Sequence, residues 1–244
     1  MNYADRAAIC RRQRQKLEQP FSWKELDMPE PSRPHEPLWP QPRVLDQLTP
    51  QNSVLLLADY QGLFAFSTRS TDIDSVVNAA VGVARAARLF SVPTVVSTIT
   101  QSFAGPMVHQ LQTALPGVEP IERTVINAWH EPRVRDAILA TGRRKLIIAG
   151  LWTDNCVMLP ALSALAEGFE VYFVADASGD YNAASHDLAI RRLVQAGAVP
   201  ISWLPVVLEW QGDWARDTAT EVNQIFRDHA PALGIGAQYR QSIR

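Results

Sequence analysis

Cysteine is almost missing from this sequence: Cys10 and Cys156 are the only two in 244 residues. That excludes a disulfide-stapled scaffold and a zinc site built from several thiolates, and makes a reducing cytoplasm the expected compartment. Lysine is nearly as scarce, limited to Lys16, Lys24 and Lys145. Neither charge sign dominates. With a formal net charge of −2, nothing draws the chain toward nucleic-acid phosphates. Apolar runs such as 54–58 and 146–151 are far too short to cross a bilayer, so no membrane partner is expected. There is no G-x-G-x-x-G after the first strand-like run, no phosphate loop and no G-x-S-x-G elbow. The five histidines, at 35, 109, 130, 186 and 229, stand too far apart for ligand spacing. No metal and no cofactor is expected.

What is present divides the chain in two. Residues 1–50 hold eight of the 17 prolines and none of the 12 glycines. Prolines at 29, 31, 34, 37, 40 and 42 block helix and sheet hydrogen bonding. Phe21, Trp23, Leu38 and Trp39 are more apolar than a solvated tail, and five basic residues lie between Arg6 and Lys16. One reading is a Pro-rich N-terminal arm packed between the subunits of a homo-oligomer; the other is a disordered tail. Residues 51–244 read as the globular domain; over the whole chain, hydrophobic residues make up 47% and charged residues 20%, close to the average of a globular protein.

In that domain, short aliphatic runs at 54–59, 94–98, 145–151, 170–175 and 199–203 read as buried parallel strands. Amphipathic runs at 72–90, 132–140, 157–167, 183–196 and 214–229 read as helices, with Gly142, Gly168 and Gly197 as helix stops. The alternation predicts an α/β, Rossmann-like three-layer sandwich with a mostly parallel central sheet. In such sheets the site lies at the carboxyl ends of the strands.

Two residues at those ends carry chemistry. Cys156 follows the 145–151 strand and precedes Pro160, at the start of a helix. Aligned peptide dipoles there favour a thiolate, and free N–H groups can receive an oxyanion; a buried structural cysteine is the other reading. Asp59 ends the first strand. It either caps a turn or, if the first and fourth strands are neighbours, faces Cys156 as a proton acceptor.

Several ordered segments together resemble the isochorismatase-like cysteine hydrolase superfamily, and most closely its YcaC-like branch. They are 55–63 (LLLADYQGL), 126–129 (INAW), 140–150 (ATGRRKLIIAG), Cys156-Val157 with 160–165 (PALSAL) and 167–169 (EGF), and 176–179 (DASG). Ser202-Trp203, Glu209 and Asp213-Trp214 complete the series, which spans about two thirds of the chain; residues 1–50 have no counterpart. The superfamily triad is aspartate, lysine and cysteine. The resemblance assigns Asp59 and Cys156, but no lysine is available in the right place. Arg123, as in the YcaC-like branch, or Glu122 beside it takes that position. The resemblance further implies a cis Leu151–Trp152 bond and an oxyanion hole made by the backbone N–H groups of Trp152 and Cys156. Phe64, Phe103, Asn127, Trp129 and Tyr181 are the expected substrate walls, beside the bulky Trp152. The Asp-x-His metal pair of the nicotinamidase branch is lacking, which supports an unassisted thiol. The implied activity is cleavage of a C–N, amide-type bond of a small molecule through a thioester on Cys156. Vinyl-ether hydrolysis fits less well, because members doing it tend to lack the cysteine. A catalytically idle member acting as a binding or structural oligomer is the alternative.

Overall fold

The computed structural model describes residues 46–242. Residues 1–45 of the expected arm, with Cys10, Phe21, Trp23, Leu38 and Trp39, lie outside the described residues. Six strands form one all-parallel sheet: β1 Ser53–Ala58, β2 Thr94–Ile99, β3 Ile121–Arg123, β4 Lys145–Gly150, β5 Glu170–Val174 and β6 Val199–Ile201, in the order β3-β2-β1-β4-β5-β6. The order reverses between β1 and β4, which pair from Ser53↔Lys145 to Ala58↔Gly150. A crevice opens at such a reversal, outside the carboxyl ends of the strands.

Strands β1, β2, β4 and β5 are buried on both faces, which explains their apolar runs. Alternate residues serve opposite cores. Leu55, Leu57, Ile147 and Ala149 face a core shared with α2 Ile73–Leu89, α8 Trp203–Gln211 and α9 Ala219–His229. Val54, Leu56, Leu146 and Ile148 face the other, with α5 Pro132–Ala140, α6 Met158–Ala166 and α7 Ala183–Gln195. The three-layer α/β architecture read from the sequence is the one observed. The shorter helices α1 Gly62–Ser67, α3 Gln101–Ala104 and α4 His109–Ala114, with α10 Pro231–Ser242, complete the helical set of the described residues.

Local chemistry sets the boundaries. Asp72 and Asn182 cap α2 and α7 by accepting from the backbone N–H of Ser75 (2.9 Å) and Ser185 (2.8 Å). Gly142, Gly168 and Gly197 end helices at φ of 65°, 86° and 98°, as their sequence positions predict. Leu48 is fully buried, and its N–H donates to Glu209 at 2.6 Å. Three differences from the sequence reading stand out. β3 is only three residues long and carries two charges, too little pattern to register. The 199–203 run stops as a strand at Ile201, and the apolar stretch beyond it is α8, with Pro205 in its first turn where its missing N–H is harmless. The last expected helix starts at Ala219 rather than 214. Asp213 turns the chain there, its carboxylate accepting from Ala215 N–H at 2.9 Å.

Gly150 sets how close β1 and β4 approach at the crevice. A Cβ there would sit 2.4 Å from the Ala58 carbonyl oxygen and 3.0 Å from Ala58 Cβ. Backbone cannot yield as a side-chain tip can, so Gly150→Ala should lower unfolding free energy by about 2–3 kcal/mol, the upper range for overpacking. Urea midpoints of the two proteins check this; equal midpoints would show that the strands separate freely.

Candidate active site

Four strands deliver the parts of the site to one edge. β1 ends at Ala58, and Asp59 turns sharply out of it with φ 57°, a region that aspartate tolerates better than most residues. Its N–H is held by Ser97 O at 2.9 Å, and its carbonyl accepts from Gln61 N–H at 2.7 Å, closing a three-residue turn. Gln61, buried, locks that turn to the end of β2. It donates to the carbonyls of Ile99 (3.0 Å) and Gly105 (2.6 Å) and accepts from Ile99 N–H (2.9 Å).

Arg123 comes from the edge strand β3, two strand spacings or about 10 Å from β1. A long basic side chain spans that gap, crossing β2 beneath it. Its Nε donates to Ser97 Oγ at 3.0 Å and its Nη1 to Val125 O at 2.6 Å. Its Nη2 donates to Asp59 Oδ2. Both side chains are fully buried. Glu122 lies on the opposite, exposed face of β3, with Oε2 accepting from Gln101 N–H at 3.2 Å. Of the two candidates for the family's lysine position, Arg123 is therefore the one that reaches Asp59. Lys145 stands at the far end of the sheet, bonded to Glu170, Tyr172 and the Asp46 carbonyl.

Beyond β4 the Leu151–Trp152 peptide is cis. The chain then enters a wide π turn, Thr153–Val157, which runs directly into α6. Pro160 supplies no N–H to the carbonyl of residue 156, and its ring crowds that carbonyl, so the preceding turn does not close as regular α-helix. Cys156 sits in this turn, 5% exposed, with its thiol facing the Asp59 carboxylate. Asp59 Oδ1 is buried with no hydrogen-bond partner.

The electrostatics correct one expectation. A helix start alone would depress the thiol pKa, yet Cys156 is pushed well above the ordinary cysteine value. Burial is the main cause, the facing Asp59 carboxylate adds to it, and Arg123 with the Trp152 N–H only partly offset it. Asp59 is also raised by burial, against the pull of Arg123 and the thiol. A buried carboxylate–guanidinium pair is neutral as a unit, and a thiolate beside it would add an unpaired charge. The resting trio is carboxylate, guanidinium and thiol.

Trp152 N–H faces the Cys156 sulfur. Cys156 N–H already donates to Trp152 O at 2.8 Å, so of the two expected oxyanion donors only Trp152 is uncommitted to backbone. The Trp152 ring stands edge-on between Phe64 and Tyr181, each at a centroid distance of 5.2 Å. These expected walls converge; others do not. Trp129 is buried in the second core against Phe169, its Nε1 donating to Glu167 at 2.9 Å near the other end of α6. Asn127 caps the turn Ala128–His130 by accepting from Trp129 N–H at 3.0 Å, and donates to Ser163 at 2.9 Å. Phe103, 70% exposed on α3, projects into solvent at the rim. Ser97 and Gln61 were not singled out by the sequence. Ser97 shares its strand with Thr94 and Thr98, and Gln61 follows Asp59 by two residues, so neither stands out by type or spacing. Among the described residues no group of three His, Cys, Asp or Glu side chains could hold a metal ion, and no helix is long and apolar enough to cross a membrane.

Residues 53–204 match the family model described as isochorismatase domain. The probable hydrolase YcaC of Escherichia coli is 36% identical over 187 residues, covering 76% of this chain and 89% of that protein. Two solved structures align over most of the chain with a TM-score of 0.78. One is YcaC from Pseudomonas aeruginosa with hexane-2,5-diol and covalent acrylamide, 35% identical, covering 82% of this chain and 100% of that one. The other is the Escherichia coli YcaC protein, an octameric hydrolase of unknown specificity, 33% identical, covering 84% of this chain and 100% of that one.

Proposed function

Because this chain belongs to the isochorismatase family and is YcaC-like, we propose that it is a cysteine hydrolase cleaving an amide-type C–N bond of a small molecule. One observation carries this reading. A buried thiol faces a carboxylate that a guanidinium clamps from the other side, at the point where the sheet order reverses. No fold requirement calls for three such groups together.

The chemistry follows from the proton's position. As the Cys156 sulfur attacks the substrate carbonyl, its proton passes to Asp59, so a full thiolate is never stabilised beforehand. The carbonyl oxygen, now negative, turns to the Trp152 N–H; the Cys156 N–H joins only by sharing its bond to Trp152 O. The C–N bond breaks as Asp59 returns the proton to the departing amine. Water, deprotonated by Asp59, then cleaves the thioester to acid and free thiol. Arg123 stays charged throughout, keeps Asp59 ionised at rest and relays no proton. Covalent acrylamide in the Pseudomonas aeruginosa relative supports a pocket of small-amide size here, with Cys156 the atom to which such an electrophile would add. The octameric Escherichia coli relative supports a homo-oligomer. No metal is assigned, and a cytoplasmic location is part of the same reading.

A panel of small amides and carbamoyl compounds, scored for ammonia or amine release by the full chain after dialysis against a chelator, tests the proposal. Turnover is expected for at least one member, with an acyl mass on the peptide containing Cys156. No release from any member, together with acrylamide that leaves Cys156 unmodified, would favour the idle binding protein.

A further inference from the structure

Behind the nucleophile lies a buried aspartate that the reaction above does not use. Asp180 follows β5 and is fully buried. Its Oδ2 accepts from Asp154 N–H at 2.8 Å, and its Oδ1 accepts from Tyr181 N–H at 2.8 Å. Its own N–H donates to Ser70 Oγ at 2.8 Å, and its carbonyl accepts from the N–H groups of Arg69 (2.8 Å) and Ser70 (3.0 Å). One residue thus ties together the start of the π turn, the loop bearing the Tyr181 wall and the loop after α1.

We propose that Asp180 is a positioning residue for Cys156, acting as an N-cap supplied from outside the helix on which the thiol sits. The inference rests on the reading of Cys156 as nucleophile. The π turn lacks a side-chain cap of its own, since Trp152 at the capping position offers no oxygen. Asp180 fills that role across space, on the N–H two residues before Cys156. Tyr181 N–H, on the same carboxylate, fixes the ring that packs on Trp152.

The charged surroundings do not explain the carboxylate as half of an ion pair. Asp154, from the π turn, is of like sign. Arg69 turns its guanidinium to the carbonyls of Phe66 (2.8 Å) and Thr68 (2.7 Å). His186, on α7, meets Thr153 Oγ1 at 2.9 Å, with Asp187 beside it. Burial first, then Asp154, pushes the Asp180 carboxyl up to about 6, against its two N–H bonds. An ionised group held there at such a penalty fits a functional position better than a structural one.

Protonation removes part of the clamp: a neutral carboxyl accepts more weakly than a carboxylate. Asp180→Asn imitates the protonated form at every pH. The test measures the rate at which acrylamide adds to Cys156 in the full chain, by peptide mass, from about pH 5 to 8. Wild type should exceed Asp180→Asn by roughly tenfold or more at pH 7.5, and the two rates should converge near pH 5. A ratio near one at pH 7.5, or one that stays constant with pH, would overturn the proposal. Amide exchange across residues 152–157 of the wild type gives a second reading that needs no variant and no reactive thiol. Protection, corrected for intrinsic rates, should drop as pH falls through about 6. Unchanged protection refutes the clamp, whereas a wild-type thiol inert to acrylamide at all pH values counts against the nucleophile reading alone.

Discussion

Cys156→Ala is expected to remove at least about 10⁴-fold of turnover, while its thermal midpoint stays within a few degrees of wild type. Removing a covalent nucleophile takes away the whole acylation route, and what binding and oxyanion contacts contribute alone is small by comparison. The fold, by contrast, loses little. The thiol is one small buried group, and Asp59 keeps its Arg123 partner when it goes. Cys156→Ser sharpens the test. A hydroxyl has a far higher pKa than a thiol, and Asp59 is too weak a base to offset the difference. Steady-state assay and calorimetry on all three proteins give the comparison; a Cys156→Ala variant within tenfold of wild type removes the thioester mechanism.

Arg123→Met should have the largest effect on stability. It leaves Asp59 buried with no cation, and breaking a buried pair from one side costs about 3–5 kcal/mol. The pH dependence has a definite sign. Burial raises the Asp59 carboxyl in the native state above its unfolded value, so the native state binds more protons, and unfolding free energy falls as pH rises through that window. Arg123 is what limits that rise. Without it the carboxyl climbs further, so the variant's deficit should be greatest near pH 8 and shrink toward pH 5. Turnover should shift the same way: the acid limb of kcat moves to higher pH, because a protonated Asp59 cannot accept the thiol proton. Denaturant midpoints at both pH values and a pH–rate profile decide it. A deficit that is flat with pH would mean that Arg123 is not the group holding Asp59 ionised. Arg123→Lys restores a cation that reaches across β2 but not the fork that also engages Ser97 and Val125, so partial recovery is expected.

Periodicity and residue type carried most of the architecture to the surface of the sequence. Strands buried on both faces read as aliphatic runs, and helices ended at glycines with positive φ. What stayed hidden lacked such a signature. β3 is too short to show a period, and α8 hides its helical phase because Leu204, Pro205 and Leu208, off its buried face, are apolar too. Asp59 and Cys156 were legible because strand ends in an α/β sheet are privileged positions. Arg123 was named only through the family resemblance. Its partner Ser97, the lock at Gln61 and the clamp at Asp180 act through contacts between residues far apart in the chain, which spacing does not encode. The thiol's raised pKa was missed for a related reason. A helix start argues for a thiolate until burial and the facing carboxylate are known, and burial is a property of the folded packing.

The scarcity of lysine has a practical side at the end of the sheet away from the crevice. Lys145 is the only lysine among the described residues. It is 3% exposed and bonded to Glu170 at 2.6 Å and Tyr172 at 2.9 Å. Burial works against its charge, but those bonds outweigh it and hold the ammonium above the usual lysine range. Acylating reagents need a free, accessible amine, and this one is neither. Amine-directed dyes, surfaces and cross-linkers would therefore leave the described residues, which hold Cys156, unlabelled.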